Sequence, residues 1–127
     1  MRKNFNLNAQ KNNVLYKVYI LANRDQSKIP KRTKIGLSMD PKSRLKSLKL
    51  DKVPYRGFDD LYIYGIYEIN EPAALEAAAH IYFQNYRCKD IGRFDGYTEF
   101  FDISPELAHR FMIKAGARQI HKPEEDE

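Results

Sequence analysis

The sequence predicts an α+β domain: a small antiparallel sheet of about three main strands plus a short late strand, flanked by helices. Three observations carry this. Runs rich in β-branched and aromatic residues occupy 14–22, 32–37 and 61–69, the composition of half-buried strands. Stretches with apolar residues at helical spacing lie between and after them. Each of those stretches opens on a polar or acidic residue followed by proline, at Asp40-Pro41, Glu71-Pro72 and Ser104-Pro105, the order of a cap and a first helical residue.

Taken in order, residues 1–13 are rich in Asn and Lys and read as a flexible basic arm. A single domain is expected over 14–117. Along 14–22, Val14, Tyr16, Val18 and Ile20 fall on one face, and Leu15, Lys17, Tyr19 and Leu21 on the other. The loop 23–31, with Asp25, Ser27 and Pro30, leads to a second strand, antiparallel to the first. There Ile35 and Leu37 point one way and Lys34 the other. Gly36 marks a place where the backbone turns or is closely approached. The helix opening at Pro41 has Leu45 and Leu48 as a short apolar stripe, with Arg44 at its edge.

Residues 51–60, with Pro54 and Gly57, form a connection to the aromatic strand 61–69. From Pro72 onward, Leu75, Ala78, Ala79, Tyr82, Phe83 and Tyr86 recur at helical period. Glu76 and His80 sit four apart beside that face. A loop at 88–96 precedes a short strand, 97–103, which holds Glu99 among apolar neighbours. Leu107, Phe111, Met112 and Ala115 pack the last helix, and Gly116 ends it. Residues 118–127 are expected to be a flexible tail with an acidic end.

The net charge of +5 understates the basicity of the body, because Glu124, Glu125, Asp126 and Glu127 form that acidic end. Without them 22 basic residues face 13 acidic ones. Between Arg24 and Arg56 there are eleven Lys/Arg against Asp25, Asp40 and Asp51. Such a concentration is the footprint of a polyanion-binding protein, with Lys17, Arg32, Lys42, Lys46 and Lys49 as candidate DNA contacts. No segment has the apolar length to cross a bilayer, so a soluble, cytoplasmic protein is expected. Cys88 is the only cysteine, which excludes an intrachain disulfide and a zinc-thiolate site. Gly36 lacks the companion glycines of a nucleotide-binding loop.

Arg44 lies one turn into a helix that follows directly on Gly36, so a rigid platform delivers a guanidinium, whose fork of donors fits phosphate oxygens. With the elements placed, the chain resembles the GIY-YIG nuclease superfamily, in its compact phage-associated branch with a Lys-Ile-Gly second motif. The matching pieces are Val18-Tyr19 with Asn23, Lys34-Ile35-Gly36, Arg44, Glu76 with His80, and Thr98-Glu99-Phe100-Phe101. Lys17 stands where that family usually has Gly, and Lys34 where it has Tyr. The resemblance implies metal-dependent hydrolysis of a DNA phosphodiester. Tyr19 would help activate the attacking water, with Lys34 favouring its phenolate. Arg44 would bind the scissile phosphate, His80 would relay a proton or bind phosphate, and Glu76 would hold Mg²⁺ or Mn²⁺. Glu99 competes with Glu76 for the metal, or pairs with Arg44 or Lys34. The rival reading is a catalytically inactive DNA-binding or adaptor module, and a third is a protein-interaction domain whose acidic tail shields its basic surface. A homodimer or a protein partner is expected to supply specificity.

Overall fold

A computed structural model describes residues 13 and 15–121. Its strands are β1 (Lys17–Asn23), β2 (Thr33–Ser38), β3 (Leu61–Glu68), β4 (Phe100–Phe101) and β5 (Arg118–His121), and its helices are α1 (Pro41–Lys49), α2 (Pro72–Tyr82) and α3 (Pro105–Lys114). The α+β class holds, with one five-stranded antiparallel sheet in the order β4-β2-β1-β3-β5.

Each helix begins at the proline that the sequence marks. Asp40 caps α1 by accepting from the Ser43 amide, and Ser104 caps α3 by accepting from the Leu107 amide. Gly116 takes the left-handed conformation just past the end of α3. Proline at the first helical position costs no hydrogen bond, since that amide has no intrahelical partner.

Alternation along the strands divides the core into two layers. Val18, Ile20 and Ile35 face α2 and α3, where they meet Leu75, Ala79, Phe83, Ala108 and Met112. Tyr19, Leu21, Leu61 and Ile63 face α1, where Leu48, Phe58, Ile91 and Phe100 close over them. β1 is central, with Tyr19 opposite Gly36 of β2 and Ile66 of β3.

Two expectations are corrected here. Only Phe100–Phe101 of the expected strand 97–103 is extended, and Tyr97–Glu99 is a single 3₁₀ turn. The sheet gains a fifth strand, Arg118–His121, beyond residue 117 where the domain was expected to end; it pairs with Ile66–Glu68 of β3. The expected arm up to residue 12 and the acidic end from residue 122 lie outside the described residues.

Candidate active site

The register of β1 and β2 builds the site. Tyr19 pairs with Gly36, and a Cβ on Gly36 would lie 2.5 Å from the Tyr19 hydroxyl and 2.7 Å from Lys34 Nζ. Only a residue without a side chain lets the Tyr19 ring and the Lys34 ammonium cross the strand there. Lys34 Nζ donates to the Tyr19 hydroxyl at 2.8 Å and to Glu99 Oε1, and it also stands 4.9 Å from the centre of the Tyr19 ring. Its side chain is 1% exposed against 27% for Glu99. A buried ammonium needs such an ion pair and hydrogen bond to remain charged.

Arg44 reaches the same point from α1. Burial works against its charge, but the Tyr19 hydroxyl, with Asp95 and Glu99 beside it, more than offsets this and holds the guanidinium protonated. Its ion pair with Asp95, almost fully exposed, is loose at 3.7 Å, and 35% of the Arg44 side chain is open to solvent. Gly96, left-handed with φ +90°, brings the loop backbone alongside: a Cβ there would lie 3.5 Å from Arg44 Nη2 and 3.6 Å from Glu99 Oε1. The Tyr19 oxygen therefore sits between a buried ammonium and a half-exposed guanidinium. That array offers positive charge and a fixed hydroxyl to an anion arriving from solvent.

His80 and Glu76 lie one turn apart on α2, 3.8 Å from each other. His80 Nε2 donates to the Ile35 carbonyl at 2.7 Å, and its ring tilts against Phe101 with centroids 5.3 Å apart. Burial lowers its pKa below the ordinary histidine value, and only partly does the Ile35 carbonyl, with Glu99, oppose this. Among the described residues no three His, Cys, Asp or Glu side chains converge as a metal cage.

The candidate DNA contacts divide. Arg32 is corrected: it is 3% exposed, its guanidinium donates to both Asp90 oxygens at 2.9 and 3.1 Å and to the Tyr55 and Arg56 carbonyls, so it ties two loops together. Lys42, Lys46 and Lys49 form one exposed ridge, i, i+4, i+7, on the side of α1 away from Arg44; Lys49 also donates to the Leu61 carbonyl. Lys17, at the start of β1, lies 3.9 Å from Glu68. Asp95 and Gly96 escaped the sequence reading, although an Asp-Gly pair is a turn signal. Cys88 is buried, which pushes its thiol up to about 11 and keeps it from acting as a nucleophile.

Among the described residues no helix is long and apolar enough to cross a membrane. No solved structure matches the chain. A protein of Escherichia phage T5, provisionally named an endonuclease, is 35% identical over 90 residues, which span 68% of this chain and 31% of that protein. The chain thus corresponds to about a third of that relative's length. The T5orf172 domain model matches residues 16–115. This family, rather than the GIY-YIG superfamily that the motifs resemble, is the one matched, and the earlier assignment is corrected accordingly. The chain belongs to the T5orf172 domain family.

Proposed function

We propose that the chain is a metal-dependent DNA endonuclease that hydrolyses phosphodiester bonds at the Tyr19–Lys34–Arg44 cluster. The observation that carries the reading is the Tyr19 hydroxyl held 2.8 Å from Lys34 Nζ beside a half-exposed Arg44. The name of the phage T5 relative points the same way. An ammonium has donors and no acceptor, so the Tyr19 oxygen accepts from Lys34, and its own proton is free to orient the attacking water. Arg44 exchanges its loose contact with Asp95 for the scissile phosphate. Its donors then meet the charge that grows on the phosphate oxygens as water attacks.

Glu76 beside His80 supplies one hard oxygen donor, and Glu99 is near enough to act on the charge of His80. Magnesium commonly takes one or two protein carboxylates and fills its remaining positions with water and substrate phosphate, so this donor set fits an ion bound together with DNA. Bound there, the ion would supply Lewis-acid stabilisation of the phosphate and the leaving oxygen. His80 ties α2 to the Ile35 carbonyl of β2 next to that carboxylate.

Nicking of supercoiled plasmid in Mg²⁺ or Mn²⁺ tests the reading. Arg44→Ala should lower the rate by about 10²–10³, and comparing Glu76→Gln with Glu99→Gln decides which carboxylate serves the metal. A native chain that binds DNA in a salt-sensitive way but cuts none with either metal overturns the nuclease reading in favour of an inactive binding module.

A further inference from the structure

A second cationic site opens on the same loop that carries Gly96. Arg87, Cys88, Lys89, Gly92, Arg93 and Tyr97 line a cavity of about 270 Å³. Tyr97 forms its wall and directly follows Gly96, the residue against Arg44, so the cavity adjoins the Tyr19–Arg44 cluster. The volume lies just below that of pockets for whole drug-sized ligands, about 300–1,000 Å³. It suits one unit of a polymer.

The charge in this cavity is not neutralised from within. Among the described residues, none of Arg87, Lys89 and Arg93 forms an ion pair. Asp90, the acidic residue between them in sequence, has both oxygens turned to Arg32. Arg87 Nε is buried and has no hydrogen-bond partner, while its guanidinium stands 5.8 Å from the Phe101 ring centre. Arg87 Nε therefore forms part of the wall and is not offered to solvent. Arg93 is held 5.6 Å from the centre of the Tyr97 ring, a cation–π arrangement that fixes its direction. The loop is stiffened by short backbone bonds, from Tyr97 to Phe94 at 3.1 Å and from Glu99 to Gly96 at 3.0 Å.

We propose that this cavity is a subsite for the DNA strand, in which Lys89 and Arg93 take the backbone of the nucleotide next to the scissile phosphate. The proposal rests on the nuclease reading above for which phosphate is scissile. The alternative surface, the lysine ridge of α1, lies on the other side of that helix from Arg44, so a strand placed on Arg44 runs toward the 87–97 loop instead.

The test is fluorescence anisotropy of a labelled duplex of about 20 base pairs, without metal, over a salt series. The native chain is compared with the Lys89→Ala/Arg93→Ala pair and with the charge-matched Arg110→Ala/Lys114→Ala pair on α3. All four side chains are exposed, and thermal unfolding checks that both variants fold. Loss of two phosphate contacts should make the slope of log K against log salt shallower by about two and weaken binding roughly tenfold or more near 0.1 M salt, with the α3 pair at native slope. Equal slopes in all three proteins, equal losses in both pairs, or no DNA binding by the native chain would each overturn the subsite. Failure of metal-dependent nicking despite the expected slopes removes the nuclease reading alone and leaves the cavity as a DNA-binding site.

Discussion

On the α2/α3 side of the sheet, Val18, Ile20, Ile35 and Phe101 meet chiefly apolar partners. On the α1 side their neighbours in sequence, Tyr19 and Lys34, carry a hydroxyl and an ammonium into an equally dry layer. The first side is held by area and shape. The second depends on each polar group keeping its partner. The same strands thus present one face that tolerates change of chemistry only at the cost of a cavity, and one that tolerates change of volume poorly and change of charge worse.

The comparison can be broken most strongly on the apolar side. Phe83 is 2% exposed and packs its ring against Phe101 and Phe111 at 6.3 and 5.7 Å. Phe83→Ala should cost about 3–5 kcal/mol in denaturant unfolding while leaving DNA affinity of the folded fraction unchanged. On the polar side, Gly36→Ala places a methyl 2.5 Å from the Tyr19 hydroxyl; unfolding should show a loss of about 1–3 kcal/mol, and nicking should fall with it. A smaller effect sharpens the contrast. Lys34→Met strands the Glu99 carboxylate and the Tyr19 hydroxyl, and should cost about 2 kcal/mol, below the 3–5 kcal/mol of a fully buried pair because Glu99 keeps some solvent. The double variant Lys34→Met/Glu99→Gln should recover part of that loss, and strict additivity in the cycle would show that the pair does not hold the site.

The smallest effect concerns pH. His80 has its pKa depressed by burial in the folded chain, so the unfolded chain binds the proton more readily. The His80 contribution is complete above the unfolded value near 6.5 and is lost as pH falls through the lower folded one. Stability should decline below about pH 6.5, and His80→Gln, which can still donate to the Ile35 carbonyl, should flatten that decline in a pH series of unfolding curves. An unchanged pH profile would show that the ring is not held neutral.

Much of the fold is legible because its signals are local. Proline after a capping or acidic residue marks all three helix starts, and β-branched alternation marks β1 to β3. β5 is not legible: Arg118–His121 is short and polar at three of its four positions, and what makes it a strand is pairing with β3 some fifty residues away. The site divides in the same way. The close approach at Gly36 and a pairing between Glu99 and Lys34 are suggested by residue type and spacing. The fate of Arg32 depends on Asp90, 58 residues on, and no density of charge along the chain reveals it. The count of basic residues between 24 and 56 also leaves out Lys89 and Arg93 of the proposed subsite, which are interleaved with Phe94 and Tyr97.

The brevity of β4 reaches beyond the site. It covers only Thr33 and Lys34 of β2, so Ile35 to Ser38 run along an open border of the sheet. A bare row of amides and carbonyls is a template on which another chain can add itself. His80 of α2 donates to the Ile35 carbonyl, so one acceptor of that border is already taken. Removing the ring would return that carbonyl to the open border, whereas His80→Gln, which can still donate to it, would not.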